Sequence, residues 1–486
     1  MSELVKKLEP KIIWNHFANL NAIPRPSKKE EQVIEFMMNF GKDLHLETFT
    51  DSVGNVIIRK PATKNFENRK TIVLQSHLDM VHQKNSNTIF DFDNEGINML
   101  IEGDWVTADG TTLGADNGMG VAAIMSILSS KKIQHPNIEA LFTIDEETGM
   151  TGAMGLEAGL LEGEILLNLD TEEDDEIGMG CAGGIDVTAT GKYPEEVTPQ
   201  KTIGFSITVK GLNGGHSGMD IHKGLGNANK IMNRLLFDGF SKFGLRISEI
   251  NGGSLRNAIP RESNAIIAID KISQKIFLRN IELLIAQIKN EFLSIEPNLT
   301  IEIQEIASPE KVMELNIQEN FIRAVYTSLN GVYRMSPTIS GLVESSNNIA
   351  KVTVQKGLIR VKCLIRSSSE SNKQDLTNSL KSAFELAGFE VELSGEYPGW
   401  QPNVNSKILE IVSNIYEDLN GEKAHVAACH AGLECGILGQ NYPKMDMVSF
   451  GPTILGAHSP DEKVSISSTQ KFWRFLQEIL KNIPKK

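Results

Sequence analysis

Cysteine and long apolar runs are scarce in this sequence. The 486 residues include four cysteines, and these are dispersed: Cys181, Cys363, Cys429 and Cys435. Since no two of them form a Cys-x-x-Cys pair, we expect neither a thiolate zinc site nor a disulfide framework. No unbroken apolar run approaches the roughly 20 residues of a membrane span. The residues that follow Met1 also lack the apolar core of a signal peptide.

Positive charge is also in short supply. Lysine and arginine total 48 against 62 aspartates and glutamates, which gives a net charge of −14. This excess of acid disfavours nucleic acid or an anionic membrane as a partner, and it suits a carboxylate site for cations. Hydrophobic residues make up 40% of the chain, as in ordinary soluble proteins, and the length allows two domains or more. We therefore expect a cytoplasmic protein.

Three apolar runs end in polar, metal-competent side chains. They are residues 71–75 followed by His77 and Asp79, residues 140–144 followed by Glu146 and Glu147, and residues 164–169 followed by Asp170. Strands that end in carboxylates deliver them to the edge of a sheet, where chemistry usually lies. Each cluster alone is compatible with a solvated turn. Their repetition favours a functional site.

The spacing within these clusters indicates possible roles. His77 and Asp79 project to the same side of an extended chain, so the carboxylate can orient a metal-binding imidazole. Of the adjacent Glu146 and Glu147, one can bind a metal while the other remains free as a base. A glycine-punctuated loop over residues 110–118 leads into an apolar helix and lacks the Gly-Lys-Ser/Thr ending of a P-loop. Its Asp116 is either a helix N-cap or a carboxylate delivered to a metal.

His458, in a late loop, completes a set with the chemistry of a two-metal site. Zinc accepts histidine nitrogen and carboxylate oxygen, and hydrolytic enzymes use pairs of zinc ions ~3.5–4 Å apart. One histidine and one terminal carboxylate per ion, with Asp116 as a bridge, would use five residues. Glu146 then remains as the base for water.

Two helices also have signals in the sequence. Ser27 followed by Glu30 has the spacing of a capping box for a helix over residues 27–40, and residues 467–480 are predicted to form the final helix.

The middle of the chain has a different pattern. From residue 205 to about residue 397, predicted strands and helices alternate in two similar sets, which suggests two related α+β units. A glycine-rich stretch over residues 178–184 is a candidate hinge. We predict an α/β fold with a central mixed sheet flanked by helices over residues 1–186 and 398–486. Residues 187–397 are predicted to form an inserted α+β lid or dimerisation domain of two ferredoxin-like units.

Three polar residues stand out in the predicted inserted domain. His216 lies in the glycine-rich loop Gly-Gly-His-Ser-Gly, and Asn257 and Arg366 lie beside predicted strands. Either of the latter two could bind an anionic group of a substrate. The alternative for each is an ordinary hydrogen bond at the surface.

The order of these motifs resembles the co-catalytic zinc peptidases of the aminoacylase and carboxypeptidase-G type. More narrowly, several stretches resemble aminoacyl-histidine dipeptidases, also called Xaa-His dipeptidases or bacterial carnosinases. The stretches are residues 110–118, 145–153, 180–184, 214–220, 256–262, 397–402, 430–436 and 451–462. The likeness runs from about His77 to Glu462 and covers both predicted domains.

The resemblance implies a set of residue roles. Two zinc ions per chain, with Co²⁺ or Mn²⁺ as substitutes, would be bridged by Asp116. Asp170 and His77 would bind one ion, and Glu147 and His458 would bind the other. Asp79 would orient His77, and Glu146 would be the general base. The substrate would be contacted by His216, Asn257 and Arg366.

The implied reaction is hydrolysis of short peptides, Xaa-His and carnosine-like dipeptides among them, by a water that Glu146 deprotonates. Alternatives are a tripeptidase, an N-acyl amino acid deacylase, or a non-catalytic metal-binding protein. A homodimer is a further expectation. His430 and Glu434 receive no role.

Overall fold

The computed structural model describes residues 2–486, and the chain divides into two compact units. Unit 1 comprises Met1–Gly180, Trp400–Ala428 and Leu433–Lys486, and unit 2 comprises Cys181–Gly399 and Cys429–Gly432. The sequence predicted changes of domain after residues 186 and 397, whereas the compact units change after residues 180 and 399. None of the described helices combines the length and the apolar character that a membrane span requires.

Unit 1 begins with alternating helices and strands. Its helices before unit 2 are α1 (Ser2–Val5), α2 (Lys11–Leu20), α3 (Glu31–Asp43), α4 (Ala115–Ser129), α5 (Glu146–Gly149) and α6 (Thr151–Gly155). Its strands there are β1 (Glu47–Thr50), β2 (Val56–Lys60), β3 (Ile72–His77), β4 (Met99–Glu102), β5 (Trp105–Ala108), β6 (Ile138–Thr143), β7 (Ile165–Asn168) and β8 (Glu176–Cys181). Every residue of β3, β6 and β7 is buried, as expected for apolar strands covered on both faces.

Unit 2 is predominantly antiparallel sheet with helices. Its strands are β9 (Gly183–Lys192), β10 (Glu195–Val197), β11 (Thr202–Lys210), β12 (Gly215–His216), β13 (Arg246–Gly252), β14 (Ala258–Ile259), β15 (Ser263–Asp270), β16 (Thr300–Ile306), β17 (Lys311–Met313), β18 (Gly331–Met335), β19 (Val343–Gln355), β20 (Leu358–Ser367) and β21 (Glu390–Tyr397). Its helices are α7 (Ala228–Phe243), α8 (Gln274–Phe292), α9 (Leu315–Thr327) and α10 (Glu370–Leu386).

The large sheet of unit 2 contains two βαββαβ motifs, one nested in the other. Its strand order is β16-β11-β15-β13-β19-β20-β9-β21, and β13 pairs with β19 where the motifs meet. The first motif is β11-α7-β13-β15-α8-β16, and it lies between the first strand and first helix of the second, β9-α9-β19-β20-α10-β21. Both have the ferredoxin-like order 4-1-3-2. The predicted pair of ferredoxin-like units is confirmed.

The core of unit 2 joins its sheet to its helices. Phe205 of β11, Phe277 of α8, Phe321 of α9 and Phe384 of α10 are all buried in one apolar cluster. Burial of one such side chain stabilises a fold by about 1.5–3 kcal/mol. This core belongs to unit 2 alone.

The chain then returns to unit 1. The last elements are α11 (Lys407–Asn420), β22 (His425–Cys429), α12 (Glu434–Asn441), β23 (Asp446–Ser449), β24 (Ile454–Leu455), β25 (Lys463–Ser465) and α13 (Ile466–Asn482). The main sheet has the order β1-β2-β6-β3-β7-β23-β8-β22, and β24, β25, β5 and β4 form a separate sheet. In the main sheet β6, β3, β7 and β23 are parallel to their neighbours within this group, while β2 is antiparallel to β6. The predicted α/β class with a mixed sheet is confirmed.

One local prediction was wrong. Ser27 followed by Glu30 was expected to cap a helix over residues 27–40, but α3 begins at Glu31 and its N-cap, Glu30, makes no side-chain cap hydrogen bond.

The glycine-rich stretch 178–184, a candidate hinge from the sequence, contains the change from unit 1 to unit 2 after Gly180. It also forms parts of β8 and β9, where close packing requires glycine. A Cβ on Gly183 would lie 2.4 Å from the backbone nitrogen of Gly399.

Candidate metal centre

Three neighbouring strands of unit 1 end at one edge of its sheet. β3 lies between β6 and β7 and is parallel to both. His77 is the last residue of β3, Glu146 follows the end of β6, and Asp170 follows the end of β7. Because parallel strands end at the same edge, their terminal polar residues gather there.

Two groups of side chains share Asp116. In the group His77, Asp116 and Asp170, and in the group Asp116, Glu147 and His458, the ligand atoms lie within 4.8 Å of one another. His77 Nε2 is 3.1 Å from Asp116 Oδ1 and 3.6 Å from Asp170 Oδ1. His458 Nε2 is 3.3 Å from Asp116 Oδ2 and 2.9 Å from Glu147 Oε2. The two oxygens of Asp116 therefore approach different histidines.

Asp79 lies behind the first histidine and is fully buried. Its Oδ1 is 3.3 Å from His77 Nδ1 and accepts a hydrogen bond from the backbone nitrogen of Glu146 at 3.0 Å. Its Oδ2 accepts one from the backbone nitrogen of Glu147 at 3.3 Å and one from Ser27 Oγ at 2.8 Å. One carboxylate thus orients the imidazole and also holds the turn that carries both glutamates.

Burial and close mutual approach shift the pKa values of the acids and imidazoles in these groups. Burial lowers the pKa of His77, but the charge of Asp170 and hydrogen bonds to Asp116, Asp170 and Asp79 outweigh it and hold the pKa well above its usual range. Burial raises the pKa of Asp170 to about 6. Burial likewise raises the pKa of Glu146 far above its ordinary value. These shifts show how unfavourable so many buried carboxylates are without further positive charge.

The donor set fits divalent cations. Histidine nitrogen and carboxylate oxygen are ligands that zinc accepts, and each group offers one histidine beside two carboxylates. Glu147 Oε1 is buried without a hydrogen-bond partner among the described residues. An unpaired buried carboxylate oxygen is costly, and a cation at this position would satisfy it.

The three predicted substrate-binding residues lie in unit 2, and two of them meet there. His216 Nδ1 accepts hydrogen bonds from the backbone nitrogens of Gly218 at 3.2 Å and Met219 at 3.0 Å. The proton of a neutral ring therefore lies on Nε2, which is 3.4 Å from Arg366 Nη2. Burial, followed by the charge of Arg366, lowers the pKa of His216 to about 4, so the ring is neutral at neutral pH. Two hydrogen-bond donors thus converge, and the described part of the chain places no acceptor between them.

Other groups hold Arg366 in place. Its Nη1 donates to the hydroxyl of Tyr397 at 2.9 Å, and its Nε is buried without a partner among the described residues. His430, left without a role by the sequence, donates to or accepts from Ser346 Oγ at 2.8 Å. Asn257 is exposed, and its backbone oxygen accepts a hydrogen bond from the nitrogen of Ser217 at 2.8 Å. Its side chain is not joined to the pair formed by His216 and Arg366 by any described hydrogen bond.

Sequence reasoning missed several buried charges in unit 1. Arg25 and Glu462 are 1% and 2% exposed and both bind the loop that precedes Asp116. Glu434 is fully buried, and its Oε2 accepts hydrogen bonds from Gln75 Nε2 and Thr143 Oγ1, each at 2.6 Å. Arg25 lies between two prolines, and Glu434 has a glycine two residues away on each side. These were the available signals for those two residues, but alone they do not distinguish burial from a solvated turn, and Glu462 has no comparable signal.

Comparison with known proteins extends over nearly the whole chain. The model of Peptidase family M20/M25/M40 matches residues 73–482. The "Cytosol non-specific dipeptidase" of Escherichia coli is 45% identical over 488 residues, which cover 100% of both chains. The crystal structure of aminoacylhistidine dipeptidase from Vibrio alginolyticus aligns with a TM-score of 0.94 and 45% identity, again over 100% of both chains.

More distant structures share only the fold. An aminopeptidase of Bacillus cereus aligns with a TM-score of 0.57 and 17% identity over 98% of this chain and 99% of that one. At this identity the likeness concerns architecture and carries no statement about substrates.

Proposed function

This chain belongs to peptidase family M20/M25/M40, and on that premise we propose that it is a metal-dependent dipeptidase. The observation that carries the proposal is the pair of histidine–carboxylate groups that share Asp116, with Glu146 beside them. The full-length likeness to two proteins named as dipeptidases supports a dipeptide as the substrate.

The metal centre is proposed to hold two zinc ions, for which Co²⁺ or Mn²⁺ can substitute. His77 and Asp170 would hold one ion, His458 and Glu147 the other, and Asp116 both. Bound ions of this kind polarise a carbonyl group and lower the pKa of water. Asp116 Oδ1 lies near His77 and Asp116 Oδ2 lies near His458, which supports this assignment of the ligands to two ions.

Glu146 is proposed to move the proton. Its carboxyl accepts no described hydrogen bond from a protein donor, in contrast to Asp79, and desolvation raises its pKa. A carboxylate in such a setting is a stronger base than one in water. Glu146 would take a proton from the attacking water and deliver it to the amine that leaves. Asp79 would fix the turn and the ring of His77 during this exchange.

Anion recognition is proposed for unit 2. The Nε2 atom of His216 and the Nη2 atom of Arg366, both of them hydrogen-bond donors, lie 3.4 Å apart with no acceptor from residues 2–486 between them, which suits a negatively charged oxygen. We assign Arg366 to the terminal carboxylate of the dipeptide and His216 to the oxyanion that forms during attack. Asn257 is assigned to the substrate as a further polar contact.

The preferred dipeptide is proposed to include Xaa-His and carnosine-like compounds. One relative is named for aminoacylhistidine and the other as non-specific, so the test must also show how many kinds of dipeptide are hydrolysed. The test is a panel of dipeptides, tripeptides and N-acyl amino acids assayed with zinc-loaded protein. Hydrolysis of dipeptides above the other classes supports the proposal, and activity confined to tripeptides or N-acyl compounds refutes it.

Cellular location and assembly are part of the same proposal. The name of the Escherichia coli relative places that protein in the cytosol, and we propose the same compartment for this one. A homodimer is proposed as the state in solution. Light scattering on the zinc-loaded chain at several concentrations decides between a monomer and a dimer.

A further inference from the structure

We infer that Glu462 and Arg25, neither of them a proposed metal ligand, position Asp116 between the two cations. The inference rests on the metal centre proposed above. It concerns the loop over residues 113–116, which both side chains bind from within unit 1.

The carboxylate of Glu462 accepts hydrogen bonds from four consecutive backbone N–H groups of that loop. Its Oε2 accepts from Leu113 at 2.7 Å and Gly114 at 2.9 Å. Its Oε1 accepts from Ala115 at 2.7 Å and Asp116 at 3.2 Å. Both carboxylate oxygens are therefore used on backbone donors, and the loop has no freedom to turn without breaking charge-assisted hydrogen bonds.

The same glutamate belongs to the loop that carries the last histidine. Glu462 follows His458 by four positions, and its backbone nitrogen donates to the oxygen of Ser459 at 3.1 Å. Ser459 in turn donates to the oxygen of Gly456 at 3.2 Å. The loop of His458 is thus tied to the loop of Asp116 through one side chain.

Arg25 connects the same loop to the segment that follows His77. Its Nη2 donates to the backbone oxygen of Gly114 at 2.5 Å and to Asn21 Oδ1 at 3.1 Å. Its Nη1 donates to the backbone oxygens of Leu78 at 3.0 Å and Asp79 at 3.1 Å. The planar guanidinium therefore joins the segment after His77 to the same loop, which a lysine ammonium could not do with equal geometry.

Two glycines make this arrangement possible. A Cβ on Gly114 would lie 2.6 Å from Arg25 Nη2, and one on Gly118 would lie 2.7 Å from the same atom. Gly114 also has a φ of +71°, which side chains disfavour. The glycines on either side of Asp116 thus leave room for a buried arginine rather than cradling a phosphate.

These contacts give Glu462 a positioning role. Three proposed ligands, His77, Asp116 and His458, lie on separate segments of the chain that Arg25 and Glu462 connect. A ligand shared by two cations must satisfy both geometries, so its backbone has to be held before the ions arrive. Partners of this kind in other metal sites change affinity by about 10–100-fold when they are removed.

The test is zinc affinity measured by chelator competition for the parent and Glu462→Gln. The amide has one acceptor oxygen, so two of the four N–H groups lose their partner. We expect zinc affinity to fall by about 10–100-fold. Glu462→Asp, which keeps the charge but reaches less far, should show a smaller loss of the same kind and serves if the first variant does not fold.

Glu139→Gln is the matched control. Glu139 is also a buried carboxylate of unit 1, and its Oε2 accepts from the backbone nitrogens of Glu162 at 2.8 Å and Gly163 at 2.9 Å. Thermal unfolding of the metal-free protein should occur at lower temperature in both glutamine variants, whereas zinc affinity should fall only for Glu462→Gln.

Three outcomes would overturn the inference. Unchanged zinc affinity in Glu462→Gln, with two ions bound to the parent, would refute the positioning role alone. An equal loss of affinity in Glu139→Gln would reduce the effect to general destabilisation. A parent protein that binds no zinc would refute the metal centre itself.

Discussion

Adjacent glutamates in the turn after β6 have different surroundings. Glu147 Oε2 lies 2.9 Å from His458 Nε2, and its other oxygen has no described partner. The carboxyl of Glu146 is instead desolvated near other acids, without an ion pair to a described residue. Asp79 holds the backbone of both. A single backbone turn therefore separates a proposed ligand from a proposed base.

The variant Glu146→Gln tests this separation. The amide is close to isosteric but cannot take a proton from water, so turnover should fall by about 10²–10⁴-fold. Zinc content should stay near two ions per chain, because Glu146 is not assigned to either ion. Steady-state kinetics and metal analysis on the same preparation check both statements. Full activity would move the base elsewhere, and loss of zinc would make Glu146 a ligand.

Glu434 predicts a pH dependence of stability. Burial raises its pKa to about 8, so the folded state holds a proton that the unfolded chain releases near its ordinary value. The stability due to this carboxyl is present at low pH and is lost as pH rises toward about 8. Gln75 and Thr143 can still donate to an amide oxygen at this position.

The measurement compares Glu434→Gln with the parent after chelation. Over about pH 5 to 8, the parent should lose thermal stability relative to the variant, which cannot ionise there. Parallel curves for the two proteins would mean that Glu434 ionises in the folded state as it does in water.

Predictions for single residues succeeded where the alternation of side chains along an extended chain determines which way a side chain points. The alternation of an extended chain correctly put His77 and Asp79 on one side, and their atoms lie 3.3 Å apart. Ser27 was assigned to a helix cap because its spacing to Glu30 has that pattern, but its hydroxyl donates to Asp79. Arg25 escaped notice because three of its four acceptors, on Leu78, Asp79 and Gly114, lie on distant parts of the chain. Long-range partners of this kind leave no local pattern.

At the scale of elements, the loop of His216 is held at both ends. β12, which contains His216, pairs with β14, and Asp220 Oδ2 accepts from the backbone nitrogen of His216 at 2.7 Å. The acceptors and donors around this ring fix Nε2–H toward Arg366. The loop therefore holds His216 rigidly, with its neutral ring oriented as a hydrogen-bond donor.

The kinetics of two variants distinguish the proposed roles in this loop. His216→Ala should lower kcat by about 10²–10³-fold with little change in KM, because the oxyanion exists only during reaction. Arg366→Ala should mainly raise KM, because the carboxylate is present before and during attack. One Xaa-His dipeptide serves both assays, with zinc content measured in parallel. Loss of zinc in His216→Ala would contradict its assignment, and unchanged kinetics in both would contradict both roles.

Helices and buried strands were predictable from apolar pattern, but glycine-rich strands were not. The expected final helix over residues 467–480 is α13, and the expected strand over residues 71–75 is β3. β9 was missed because its glycines suggested a hinge, although Gly184 and Gly191 leave room for Tyr397 and Phe389. β13 was missed because it ends in Asn-Gly and has few apolar residues. In both strands, tertiary packing outweighs local preference.

At the scale of the whole molecule, the proposed metal ligands all belong to unit 1. Unit 2 has its own core, in which Phe205, Phe277, Phe321 and Phe384 are buried. Binding of the proposed zinc ions is therefore expected to stabilise unit 1, because the apolar cluster of unit 2 contains no proposed ligand. An ion present at 1,000 times its Kd would add about 4 kcal/mol to the unfolding free energy of that unit.

Removal of zinc should consequently affect the units unequally. Hydrogen exchange with and without chelator is the measurement. Amides of β3, β6 and β7 should exchange faster after chelation, whereas amides of β11 and α7 should keep their rates. Equal acceleration in both units would show that they unfold together, and no change in unit 1 would contradict the metal centre.

The position of unit 2 within the chain has a consequence for biosynthesis. His77, Asp116, Glu147 and Asp170 precede it, and His458 and Glu462 follow it. A nascent chain that has emerged through unit 2 therefore contains one complete histidine–carboxylate group and lacks the histidine of the other. Premature release from the ribosome at that stage would leave a polypeptide without His458 and without Glu462 to hold the Asp116 loop. The proposed pair of cation sites therefore needs residues from both sides of unit 2, and it can be complete only after translation has passed Glu462.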